Sequence, residues 1–276
     1  MSTAEQTSGA ATGVARLDEV FTTARAEDRA ALIAYLPVGY PTVQGSLGLL
    51  SQALDAGADL VEVGVPYSDP VLDGPVIQHT VEAALAAGVR FRDTLSVVEK
   101  LAERGGRAVV MTYWNPVLRY GVDAFARDLA AAGGLGVITP DLVPDEGARW
   151  IEAAGREDLA PIFLVAPSSS SERIAATARA SRGFLYATST MGVTGARDAV
   201  SDTAIGLVSR ARAHTDLPVG VGLGVRSGAQ ASEVAAFADG VIVGSALVSA
   251  AEHGRAAVAR LTTELAAGVR GQHTGR

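Results

Sequence analysis

Eight short apolar runs recur along the chain, and helical spacing of apolar residues follows each of them. The runs cover residues 31–38, 59–65, 108–113, 136–140, 161–166, 183–187, 218–222 and 240–243. Most are apolar on consecutive positions, as parallel strands covered on both faces require. Between them apolar residues return every three or four positions, as at Leu47, Leu50 and Leu54, or at Ile151 within 145–154. Thr42, Asp123, Asp145, Ser171 and Asp202 stand where N-caps or first-turn acids belong. An amphipathic stretch, 14–26, precedes the first run. Strand–helix units that alternate without a linker between halves predict an α/β protein, a closed (β/α)8 TIM barrel with an extra N-terminal helix. A doubly wound open sheet is the alternative. No Gly-x-Gly-x-x-Gly turn follows the first run to support it.

Composition narrows this picture. The 276 residues, 48% of them hydrophobic, suit one barrel, which takes about 250 residues. The expected organisation is a disordered tail over 1–13, one barrel domain over 14–268 and a frayed tail over 269–276. A net charge of −7, spread along the chain, argues against nucleic acid, whose binders carry basic patches. No apolar run reaches the length of about 18 residues that spans a bilayer. The first residues lack the basic start and apolar core of a secretory signal, so a cytoplasmic protein is expected. The chain has no cysteine, which excludes disulfides and thiolate metal sites. Lys100 is its single lysine, and His79, His214, His253 and His273 show no metal-ligand spacing.

In a barrel of this kind the chemistry sits at the C-terminal ends of the strands. Glu62 interrupts the apolar run 61–65, so its carboxylate is expected inside the protein or at the barrel mouth. A buried, unpaired carboxylate is costly. Glu62 is therefore either a structural acid held by an arginine or backbone amides, or a general acid/base whose pKa burial raises. The loop that follows carries Asp69 before Pro70 and Asp73 before Gly74. Each taken alone reads as a turn former, yet both follow closely on Glu62. Glycines also end the later runs, in Gly192-Val193-Thr194-Gly195, Gly222-Leu223-Gly224 and Gly244-Ser245. They serve either as ordinary turn residues or as a backbone-amide cradle for phosphate, where a side chain would keep the oxygens away.

Taken together these residues resemble a known family. The segment Val61-Glu62-Val63-Gly64-Val65-Pro66-Tyr67-Ser68-Asp69-Pro70, continuing to Asp73-Gly74-Pro75, is similar to the signature of tryptophan synthase α chains. Met191-Gly192-Val193-Thr194-Gly195, Ala34-Tyr35-Leu36-Pro37-Val38-Gly39 and Met111-Thr112-Tyr113-Trp114-Asn115-Pro116 match it as well. The resemblance implies cleavage of indole-3-glycerol phosphate to indole and glyceraldehyde 3-phosphate, with indole passed to a tryptophan synthase β subunit in an α2β2 heterotetramer. It implies Glu62 as the proton carrier and Asp73 as acceptor of the indole N–H. Tyr35, Tyr113 and Tyr186 would contact substrate, and Gly195, Gly224, Gly244 and Ser245 would bind phosphate. A free-standing lyase and a weakly catalytic barrel that regulates a β partner are the alternatives. The family's substrate agrees with the residues at hand. An indole protonated at carbon 3 becomes an iminium and accepts the electrons of the breaking bond itself, so neither a lysine Schiff base nor a metal is needed. No cofactor is expected. The loop 189–198 is expected to close over the site when phosphate binds.

Overall fold

The computed structural model describes residues 13–188 and 202–271. The strands are β1 Ala31–Pro37, β2 Leu60–Gly64, β3 Ala108–Met111, β4 Gly136–Ile138, β5 Ala160–Ile162, β6 Leu164–Val165, β7 Leu185–Thr188, β8 Val219–Gly222 and β9 Gly240–Val243. All pair in parallel, in the order β5-β4-β3-β2-β1-β9-β8-β7-β6. The expected fifth run is thus divided in two by Phe163. Its first part pairs with β4, whereas its second part pairs with β7. The Phe163 carbonyl still accepts the Tyr186 N–H at 3.2 Å, so the pairing carries across the break and the barrel closes. First and last strands meet as well, with Ile33 opposite Ile242, and an open doubly wound sheet is ruled out.

Register gives the barrel an inside. Ile33 faces Leu60 and Tyr35 faces Glu62 across β1 and β2. Alternate residues of each strand point inward, and Ala31, Ile33, Leu60, Val109, Ile138, Ala160, Ile162, Phe184 and Ile242 form one inner cluster. Their neighbours, such as Leu32, Val61, Val63, Val110 and Val241, belong to the outer core beneath the helices. Both faces are therefore apolar, which is why the runs show no alternation.

The helices are α1 Gly13–Ala26, α2 Val43–Asp55, α3 Pro75–Ala86, α4 Phe91–Glu103, α5 Trp114–Tyr120, α6 Val122–Ala131, α7 Ala148–Arg156, α8 Ser171–Ala180, α9 Asp202–Arg212, α10 Gly228–Ala235, α11 Ser245–Ala251 and α12 Arg255–Val269. The expected extra N-terminal helix is α1, which closes the floor of the barrel. Its buried stripe, Leu17, Val20, Phe21 and Ala24, recurs at helical spacing and joins the inner cluster. Phe21 and Phe184 lie with ring centroids 5.3 Å apart, and burying each large side chain contributes about 1.5–3 kcal/mol. Thr42 caps α2 by accepting from Gly45 N, as its position predicts. Two expected starts move. Ser170, not Ser171, caps α8, because its extended backbone leaves the hydroxyl facing Arg173 N. Asp145 lies in a turn before α7, which opens after Gly147. At the other end α12 continues to a buried Val269, just past the boundary expected at 268.

Candidate active site

The inward register delivers its last layer of side chains to the C-terminal mouth of the barrel. There Tyr35, Glu62, Met111, Leu164, Tyr186, Thr188 and Ile242 surround a cavity with about 750 Å³ of empty space including its open mouth. The loop after β2 adds Leu72 and Asp73, and the ends of β8 and β9 add Gly222, Gly224, Gly244 and Ser245. Most of the residues expected from sequence thus converge on one space from distant parts of the chain.

Glu62 is 1% exposed, and its Oε1 has no hydrogen-bond partner among the described residues. Of the two readings open for this acid, the structural one asks for an arginine or backbone amides at the carboxylate, and at Oε1 the described residues supply neither. Burial alone pushes its pKa up to about 8, because the apolar wall disfavours the charged form. At neutral pH it carries its proton. Asp73 sits just before the start of α3, where Gly74 is the N-cap and Pro75 the first helical residue. Burial raises its pKa to about 6, opposed by a side-chain hydrogen bond from Tyr113. One acid is then protonated and the other ionised at pH 7, in the same cavity.

Two glycines make the site possible by leaving room for aromatic rings. A Cβ on Gly64 would stand 2.6 Å from the Tyr35 hydroxyl, and one on Gly222 would stand 2.7 Å from the Tyr186 hydroxyl. Each tyrosine lies across a neighbouring strand's glycine, which holds the ring flat against the barrel wall. Burial raises both phenols well above their ordinary range, so they stay neutral. Gly224, with φ of +72°, turns the chain out of β8. Gly244 precedes α11 as its N-cap.

Tyr113 does not line this cavity; it stands behind Asp73, packed on Tyr67 with ring centroids 5.3 Å apart. Gly195 and the loop 189–198 lie outside the described residues. Sequence reading missed the apolar wall of Met111, Leu164 and Ile242, together with Leu72 and Ile77. The first three sit at inward positions near strand ends, so counting in twos from Glu62 and its counterparts would have found them. Leu72 and Ile77 carry no comparable signal. Lys100 lies exposed on α4, and the described residues hold no group of three or more histidines and acids able to bind a metal. No helix among them is long and apolar enough to cross a membrane.

A family model for the tryptophan synthase alpha chain matches residues 21–273. The chain belongs to the tryptophan synthase alpha chain family. The tryptophan synthase alpha chain of Mycobacterium tuberculosis is 65% identical over 255 residues, covering 92% of this chain and 94% of its own. That of Nocardia farcinica is 64% identical over 255 residues, with 92% and 96% covered. A solved structure of Mycobacterium tuberculosis tryptophan synthase superposes with a TM-score of 0.90 at 64% identity, over 92% of this chain and 98% of that one. The alpha chain of Legionella pneumophila subsp. pneumophila reaches a TM-score of 0.84 at 29% identity, over 94% and 99%. The tryptophan synthase alpha chain fold thus persists where most side chains have changed.

Proposed function

We propose that this cavity cleaves indole-3-glycerol phosphate to indole and glyceraldehyde 3-phosphate, with Glu62 and Asp73 as its catalytic residues. The observation that carries the assignment is Glu62 itself, a buried acid whose Oε1 has no partner among the described residues, facing the cavity beside an ionised aspartate. Protonated Glu62 delivers its proton to carbon 3 of the indole, and the ring becomes an iminium. Asp73 accepts the indole N–H and offsets the positive charge as it develops. The Glu62 carboxylate then takes the proton of the glycerol hydroxyl next to the breaking bond. That oxygen becomes the aldehyde, and the carbon–carbon bond electrons return to the ring. One proton leaves Glu62 and one returns, so the step balances without a further group. Tyr35 and Tyr186 flank the ring. Backbone amides near Gly224, Gly244 and Ser245 receive the phosphate, joined by Gly195.

Indole is apolar and leaks through an open mouth, which favours delivery to a β subunit docked there. Of the large hydrophobic residues exposed in the described structure, Val71, Leu118 and Val143 follow β2, β3 and β4 on this side of the barrel. They supply an apolar surface for that partner, in an α2β2 assembly in the cytoplasm. The deciding measurement is indole release from indole-3-glycerol phosphate, with and without a cognate β chain. Release by the chain alone that rises with the β chain is expected. No release in either condition would refute the assignment.

A further inference from the structure

The loop between β2 and α3 has no regular structure of its own, yet it must hold Asp73 at a fixed place in the cavity. Within it Val71 is 68% exposed, so burial does little to anchor this stretch. Gln78 Nε2 donates to the Asp73 carbonyl at 2.7 Å, which fixes the backbone on the α3 side. On the other side the Met111 carbonyl accepts the Val65 N–H where the loop leaves β2, and the buried side chain that reaches the Leu72–Asp73 stretch among the described residues is Tyr113. Tyr113 is 5% exposed and lies just after β3, as the N-cap of α5. Its oxygen accepts the Leu72 N–H at 3.0 Å. With that oxygen engaged as an acceptor, the hydroxyl proton is free for the Asp73 carboxylate.

We infer that Tyr113 is a positioning residue for the reaction, clamping the Leu72–Asp73 backbone and aiming the Asp73 carboxylate into the cavity through its hydroxyl. This rests on the role proposed above for Asp73. The sequence resemblance implies a substrate contact for Tyr113, whereas this reading gives its hydroxyl the positioning of Asp73. The ring is itself held from the loop side by Tyr67, whose hydroxyl accepts from Asn115 Nδ2 at 3.2 Å. Clamp and loop thus brace each other. Among the described residues, the titratable groups facing this part of the cavity are Tyr35 from β1, Glu62 from β2 and Tyr186 from β7, and none of these is a cation. Beside these groups the Tyr113 phenol is the one that favours ionised Asp73, through its hydrogen bond to that carboxyl.

The test is Tyr113→Phe in the full chain, which keeps the ring and removes the clamp. Turnover should fall about tenfold or more while KM changes little, and the acidic limb of the pH–rate profile should move to higher pH. Combined with Asp73→Asn, the substitution should cost no more than Asp73→Asn alone, since residues acting as one unit are not additive. A second readout needs no substrate. Carbon-13 NMR of the Asp73 carboxyl in the ligand-free protein should show its titration midpoint raised by Tyr113→Phe. Failure of the lyase reading would appear as no indole from the unmodified chain, with the NMR midpoint still shifting. Unchanged turnover with an unchanged midpoint, or penalties that simply add in the double variant, would overturn the positioning role.

Discussion

Asp59 and Glu62 belong to the same short stretch of chain entering and forming β2, and they meet opposite surroundings. At the floor, both Asp59 oxygens take the Arg29 guanidinium at 2.8 Å, and the Leu32 N–H adds a third bond at 2.8 Å. Asp239 repeats the arrangement below β9, accepting the Val219 N–H at 2.9 Å and Arg212 at 3.2 Å. These acids tie strand ends together. At the mouth, Glu62 is buried more deeply, and among the described residues no arginine stands beside it. The same functional group is structural where a cation and amides satisfy it, and where they are withheld it is the group proposed to carry the proton. Barrels concentrate this division because their floor is free of substrate.

Substitutions can break the comparison directly. The largest effect is expected for Glu62→Gln, which preserves shape but removes the proton carrier. Indole release should fall by about 10²–10⁴, whereas Asp59→Asn should leave turnover per folded molecule intact and lower stability by roughly 2–4 kcal/mol. If Asp59→Asn abolished turnover at full stability, the division between floor and mouth would be wrong. Next comes Asp73→Asn, for which a loss on the order of 10–100-fold is expected because an amide cannot offset charge at the indole nitrogen. A steady-state assay at saturating substrate suffices, and full activity would reduce Asp73 to a turn residue.

The acids also predict opposite limbs in pH. Activity should rise as Asp73 ionises near pH 6 and fall as Glu62 loses its proton near pH 8. In stability the sign is different for Glu62. Its folded pKa lies above the unfolded value of about 4.3, so its contribution is fully present below that value and is lost as pH rises through about 8. Denaturant unfolding from pH 5 to 8.5 should show a decline that Glu62→Gln flattens. A parallel pair of curves would show that burial of this acid is not what shifts it.

Smaller effects sharpen the mouth itself. Gly224→Val forces a side chain onto a residue with φ of +72° and should weaken glycerol 3-phosphate binding about tenfold, measured by calorimetry. Arg226→Ala should matter less, because its exposed side chain is not part of the amide cradle. The reverse order would place charge, not backbone, in control of the phosphate. Borohydride with substrate should change nothing, since Lys100 is exposed on α4 and does not line the cavity. Inactivation with Lys100 modified would replace the proton-transfer mechanism by a covalent one.

Much of this protein was legible in its residues. Continuous apolar runs separated by helical spacing already point to parallel strands covered on both faces, whereas closure into a barrel rather than an open doubly wound sheet was decided by the pairing of β1 with β9. Glu62 declares itself as the acid inside such a run, and the glycine-bearing strand ends mark the mouth. What the runs could not reveal is which face of each strand is inward, because both faces are apolar and the period of two is invisible in composition. Closure and register decide that, and with it the placing of Tyr35 over Gly64 and Tyr186 over Gly222. Tertiary structure likewise decided that Arg29 serves Asp59 and that no cation among the described residues reaches Glu62, for charges pair through space between residues that the chain keeps far apart. The hydroxyl of Tyr113 belongs to the same class. In sequence it is an aromatic residue after a strand, and only the fold brings its oxygen to Leu72 and Asp73.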